Sequence, residues 1–263
     1  MKKNKWGIFA LIGKVGPKIL SLLGKLAKTL KLSKVTLAGA SLASYAVIFT
    51  WQFALMIIFM LFVHESGHVW AMKRIGMKTK GFYFIPLLGG AAIADEAFPS
   101  RKAEVFVAIM GPIFGLTLSI ATFLVYLTTS NPIFAAGASW MAMINLFNLL
   151  PINPLDGGRI FKSIAFSINS KIGLAFLAIG VIAAGILGFT AGFGLFWFLL
   201  IIGSIDLALE YRNRNKLHQP PMNRTQTAGS AAGYAILSLV LWGIMALANS
   251  VPGAQAAMEF LKS

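Results

Sequence analysis

Leu42–Val63, LASYAVIFTWQFALMIIFMLFV, runs without a charge into His64-Glu65-Ser66-Gly67-His68. A stretch of this length and composition is long enough to lie in a membrane, and that placement governs how the rest of the chain is read. On a helix, H-E-x-x-H sets two imidazoles one turn apart on one face, a spacing suited to bidentate capture of zinc. The glutamate between them can serve as general base on a metal-activated water. Two of the three histidines in the chain are spent here. Charge is costly inside a bilayer, so an ionisable cluster at that depth reads as functional.

Of the 263 residues, 57% are hydrophobic and only 12% charged, whereas a soluble globule carries about a quarter charged residues. The composition is that of an integral membrane protein. The formal charge of +15 suggests nucleic acid until its location is checked: nine lysines lie in the first 34 residues, and no acid precedes Glu65. A polybasic segment beside membrane spans reads instead as contact with anionic lipid and as a cytoplasmic topology signal. Nucleic-acid binding is not expected, because the segment lacks Arg and offers only Trp6 and Phe9 for base stacking. With no Cys, disulfides and thiolate ligands are excluded, and metal binding falls to His and carboxylates.

Lys14, Lys18, Lys25 and Lys28 recur at helical spacing, with Ile19, Leu22, Leu23, Leu26 and Leu30 between them. Residues 1–34 are therefore expected to form a basic amphipathic helix lying in the interface, rather than a cleavable signal or an Arg-rich transit peptide. From Val35 to Trp70 the sequence is too long for one span of about 20 residues and short for two. The reading is a short helix to about Phe49, a tight turn near Thr50-Trp51, and a second helix carrying the zinc motif. Further spans are expected at Glu104–Tyr126, Ile133–Leu150, Ile172–Phe189, Gly194–Leu209 and Gly229–Ala248.

Segments 73–103, 159–171 and 211–224 hold basic residues, whereas 128–132 and 190–193 hold none. The positive-inside rule makes the basic segments cytoplasmic, with the N-terminus inside and the C-terminus outside, and it favours a helical hairpin over one long helix across 35–73. Gly81–Pro99, GFYFIPLLGGAAIADEAFP, is apolar but broken by Pro86, Gly89 and Gly90. Strand formers ahead of a Pro/Gly turn suggest a re-entrant β-hairpin at 82–94, with an ordinary interfacial loop as the alternative. Such backbone is tolerated at membrane depth only where protein or a water-filled cavity satisfies it. The fold class expected is an all-α polytopic membrane protein of about six to seven transmembrane helices, with a small re-entrant β-hairpin and an N-terminal amphipathic interfacial helix. Its organisation divides into the basic segment 1–34, a membrane-embedded core over 35–210, a polar cytoplasmic loop at 211–229 that carries His218, and an additional transmembrane helix and tail at 230–263.

Two histidines do not complete a catalytic zinc site, which takes three protein ligands and leaves one position for water. The intramembrane acids besides Glu65 are Asp156 and Asp206. Asp156 lies in Asn148-Leu149-Leu150-Pro151-Ile152-Asn153-Pro154-Leu155-Asp156-Gly157-Gly158-Arg159, where two prolines break the preceding helix and glycines permit close backbone approach. An N-cap is the ordinary job for such an Asp, but the need for a third ligand turns the reading toward the metal. Asp206, with Glu210 one turn on and Arg212 nearby, reads as an interfacial ion pair.

His64-Glu65-x-x-His68 in one span, followed by Asn153-Pro154-Leu155-Asp156-Gly157 later, resembles the site-2 protease family of intramembrane zinc metalloproteases. The similarity covers about residues 50 to 165, and Met110-Gly111-Pro112 resembles a further family feature. The resemblance implies one Zn2+ per chain held by His64, His68 and Asp156, with Glu65 activating water for peptide hydrolysis in transmembrane protein substrates. It implies that Asn148 contacts substrate backbone and that the hairpin pairs with extended substrate. The expected setting is a multi-pass protein of a bacterial cell membrane, the bacterial origin being read only from the lysine-rich, compact design. Many relatives carry a PDZ or CBS module; none is seen in this sequence, so gating is expected from the spans, the basic helix or a separate regulatory protein. Prenyl-protein-processing peptidases also use H-E-x-x-H, but they draw a third-ligand Glu from a later helix, and here only Glu210 is available. A metal-binding transporter or a non-proteolytic membrane scaffold is the alternative from another class.

Overall fold

The computed structural model describes residues 33–86, 89–191, 194–213 and 219–262. The amphipathic helix expected over 1–34 falls almost wholly outside the described residues, as does His218. Two helices open the described chain, α1 (Lys34–Ile48) and α2 (Trp51–Arg74). They are separate because Phe49 is extended and Thr50 caps the second helix, its hydroxyl accepting from the Phe53 N–H at 3.3 Å. This is the break expected near Thr50-Trp51. The buried stripe of α2 runs Phe53, Ile57, Met60, Leu61, His64, Glu65, His68, Ala71, recurring every three or four residues. Its opposite face leaves Leu55, Phe59, Phe62 and Trp70 exposed, which is the surface a lipid environment accepts.

An antiparallel hairpin follows: β1 (Thr79–Ile85) and β2 (Gly89–Ala94), with Tyr83 opposite Ala91 and Phe84 opposite Gly90. It is the hairpin expected at 82–94, beginning earlier at Thr79. β1 lies against α1 and β2 against α2. The remaining elements are α3 (Arg101–Thr129), α4 (Pro132–Asn148), α5 (Asp156–Ile168), α6 (Ser170–Ala191), α7 (Gly194–Asn213), α8 (Arg224–Asn249) and α9 (Ala254–Lys262). Their starts are locally encoded. Ser100 and Asn131 cap α3 and α4, Pro132 supplies the first residue of α4, and Asn223 with Gln226 forms a capping box on α8.

Four helices among the described residues, α2, α3, α6 and α8, are long and apolar enough to cross a membrane. The α1 and α4 helices have 15 and 17 residues, so they rise about 22 and 26 Å, less than the roughly 30 Å of a hydrocarbon core. Helix α3 packs between α2 and α4, α8 lies across α4, and α6 joins α5 to α7. Between helices in lipid, van der Waals packing and hydrogen bonds carry the association, since apolar residues gain little by leaving an apolar solvent. Phe53, Ile57, Met60, Leu61, Phe84, Ala136 and Met141 form one packed cluster joining α2, β1 and α4. Val105, Ala108, Ala142, Leu149, Ile160, Leu237 and Leu241 form another, joining α3, α4, α5 and α8. The side chains expected to hold a metal lie among these helices.

Candidate metal centre

His64 and His68 project from the buried face of α2 toward the first residue of α5. His64 Nε2 lies 3.1 Å and His68 Nε2 3.2 Å from Asp156 Oδ2, and the two Nε2 atoms are 3.1 Å apart. All three side chains are buried. Among the described residues this is the one group of His and carboxylates gathered closely enough to hold a metal ion. Asp156 does not cap its helix: the N-cap is Leu155, without a side-chain bond, and the carboxylate turns to the imidazoles instead.

The outer ring nitrogens decide what the inner ones offer. His68 Nδ1 donates to the Val107 carbonyl at 2.8 Å. The Asn145 amide donates through Nδ2 to the Met141 carbonyl at 2.7 Å, so its Oδ1 faces His64 and accepts from Nδ1 at 2.8 Å. Both Nε2 atoms therefore carry lone pairs in the neutral rings, and Asp156 contributes a third electron-pair donor. Three acceptors converging in a buried site repel one another unless a cation or protons lie between them. Metal bonds of about 2.0–2.1 Å in tetrahedral array separate ligands by about 3.3 Å, close to the 3.1–3.2 Å seen here. Gly111 on α3 opens the space: a Cβ there would lie 2.8 Å from His64 Nε2 and closer still to the His68 ring. The donor set and the cradle fit zinc.

Local sequence explains how Asp156 reaches this point. Helix α4 ends at Asn148, and Leu150, Ile152 and Leu155 donate backward through tight turns to Phe147, Leu150 and Ile152 carbonyls. The start of α5 is pressed against that loop. Side chains at Gly157 and Gly158 would collide with it, a Cβ lying only 2.6 Å from the Leu150 carbonyl oxygen and 2.5 Å from that of Ile152. Tyr234 of α8 donates to the Leu149 carbonyl at 2.7 Å. Thus a helix that the sequence reading treats as an addition to the core braces the loop carrying Asp156.

Glu65, buried beside the histidines, meets β2. A Cβ on Gly90 would lie 2.7 Å from Glu65 Oε1. Glu65, the three candidate ligands, β2 and Asn148 all line one cavity of about 900 Å3. Apolar walls come from Tyr45, Ile57, Leu61, Trp140, Ile144 and Phe147, and charged walls from Arg101, Glu104, Arg159, Lys162, Asp206 and Glu210. Asp206 is not with the ligands. It accepts from Asn153 Nδ2 at 2.8 Å and faces Lys162 Nζ at 3.4 Å. Lys162 also stands 3.4 Å from Glu104 and 3.6 Å from Glu210, while Arg101 pairs with both of those acids. The ion pair expected locally around Asp206 is thus a network across α3, α5 and α7. Sequence reading passed over Asn145, Gly115, Tyr234 and this network. A buried Asn on an apolar helix, one turn before Asn148, is the signal that could have drawn attention to Asn145.

Residues 52–136 match the profile of Peptidase family M50. The matched region holds His64, Glu65, His68 and Gly111, and ends before Asn145 and Asp156. Rip3 of Mycobacterium tuberculosis is 29% identical over 181 residues, covering 61% of this chain and 46% of Rip3. Zinc metalloprotease MJ0392 of Methanocaldococcus jannaschii is 25% identical over 188 residues, 65% of this chain and 54% of that protein. Stage IV sporulation protein FB of Bacillus subtilis is 25% identical over 176 residues, 62% of this chain and 60% of the relative. The chain therefore spans about half the length of the curated relatives it matches. Through the zinc-motif region, residues 52–136, the chain is similar to peptidase family M50, the site-2 protease family.

Proposed function

We propose that the chain is an intramembrane zinc metalloprotease that hydrolyses peptide bonds in or near transmembrane segments of membrane proteins. The observation that carries this reading is the convergence of His64 Nε2, His68 Nε2 and Asp156 Oδ2 beside Glu65 in a cavity among apolar helices. His64, His68 and Asp156 would hold one zinc ion, which when bound supplies Lewis acidity toward a carbonyl and toward water. Glu65 takes a proton from water in the cavity and returns it to the leaving amine, as a general base and then a general acid. Asn148 holds substrate backbone through its side-chain amide. The hairpin contains two strands, with β1 on one side of β2, and the other edge of β2 accepts an unwound substrate segment by strand addition. The charged walls admit water from the cytoplasmic side.

On this reading α1, α4 and α7 join α2, α3 and α6 in a polytopic core over 35–210, and α8 is the additional transmembrane helix beyond it. Residues 1–34 bind anionic lipid with the N-terminus cytoplasmic, in a bacterial cell membrane. The test compares membrane-protein fragments in cells carrying the native chain or Glu65→Gln, with mass spectrometry reading new termini inside transmembrane segments. Glu65→Gln is expected to keep zinc and to lose cleavage by about 10²-fold or more. Cleavage at the native rate in that variant would sink the assignment. His68→Ala is expected to lose both zinc and cleavage, and tight zinc binding by it would exclude His68 as a ligand.

A further inference from the structure

We infer that Asn145 is a positioning residue for the metal, fixing the tautomer and ring plane of His64, and that Gly115 is the site that lets it do so. The inference rests on the zinc reading above and adds a residue outside the ligand set. Three observations meet at this side chain. Asn145 is fully buried, so its amide has no water to satisfy it and must be matched by protein. Its two ends have different partners: Nδ2 is committed to the Met141 carbonyl of its own helix at 2.7 Å, which leaves Oδ1 for His64 Nδ1 at 2.8 Å. An acceptor at Nδ1 holds the proton there, and so keeps the Nε2 lone pair aimed toward His68 and Asp156.

The third observation is steric. The amide lies against α3 at Gly115, where a Cβ would overlap its Oδ1, Nδ2 and Cγ. Gly111 and Gly115 stand one turn apart on the same face of α3, one beneath the two histidine rings and the other beneath the amide that orients one of them. The α3 backbone thus supports both rings without side chains: the Val107 carbonyl receives His68, and Asn145, seated on Gly115, receives His64.

The experiment uses the full-length protein in detergent and reads metal, not cleavage. Zinc affinity is measured by chelator competition, and ligand geometry by the visible absorption of the Co2+-loaded protein. Asn145→Leu removes the acceptor at similar volume and is expected to weaken zinc by about 10- to 100-fold and to shift the Co2+ bands. Gly115→Ala, which pushes the amide aside, is expected to weaken zinc too, but to add nothing further in an Asn145→Ala background, because the two act through one group. Native zinc affinity and an unchanged Co2+ spectrum in Asn145→Leu would overturn the inference. Should that variant fail to fold, additive effects of Gly115→Ala and Asn145→Ala would overturn it equally. Failure of the native chain itself to bind zinc would instead sink the metal reading, so the two failures are distinguishable.

Discussion

Gly111→Ala should disable the candidate centre without altering any ligand. The added methyl would sit 2.8 Å from His64 Nε2 and nearer still to the His68 ring. Ordinary carbon contacts begin at about 3.5 Å, so His64 must yield by about 0.7 Å and His68 by more. Sites of this kind tolerate displacements of about 0.2 Å from ideal metal–ligand distances. A 1 Å misplacement of reacting groups costs on the order of 10² in rate, or about 2.7 kcal/mol. Overpacking alone adds about 1–3 kcal/mol of destabilisation to the metal-free protein. The assay is zinc content and thermal unfolding of the purified protein, beside the appearance of substrate fragments in cells. Gly243→Ala on α8 is the control, since nothing lies within 4 Å of a Cβ there, and it should gain up to about 1 kcal/mol from helix propensity. Native zinc content and native cleavage in Gly111→Ala would refute the reasoning, because the cradle would then not depend on the missing side chain.

Two further perturbations probe what supports the site. Lys162→Met leaves Glu104, Asp206 and Glu210 without the ammonium they share at 3.4–3.6 Å; breaking a buried ion network from one side should cost about 3–5 kcal/mol, read as a drop in thermal midpoint that Glu104→Gln partly reverses. Tyr234→Phe removes the 2.7 Å bond to the Leu149 carbonyl and should cost about 0.5–1.5 kcal/mol. Faster amide exchange in residues 149–155 would show the Asp156 loop loosened, and unchanged exchange there would mean that α8 does not brace it.

Much of the architecture is legible in local sequence because its causes are local. An uncharged run ending in H-E-x-x-H specifies a helix with both imidazoles on one face, since residues four apart share a face in any α-helix. Thr50, Ser100, Asn131 and Asn223 cap the helices they precede. Pro86 follows the first strand and Gly89 opens the second for the same local reason. The boundaries of α4 are less accessible, because the end of an apolar helix at Asn148 rather than Leu150 depends on turns closed by the following loop.

What the chain alone determined is composition, periodicity and chemistry: helices apolar enough to span a membrane, an H-E-x-x-H half-motif suited to zinc, and an Asp at a Pro/Gly break that could complete it. Only the tertiary structure decided that Asp156, far from His64 in sequence, lies 3.1 Å from it in space. It also decided that Asn145 faces His64, that Gly111 and Gly115 are needed for clearance, and that Tyr234 holds the loop. The physical reason is range. A cap or a helical face is set by neighbours within a turn or two, whereas a buried polar contact depends on which helices pack together and how closely their backbones approach. That choice belongs to the whole bundle.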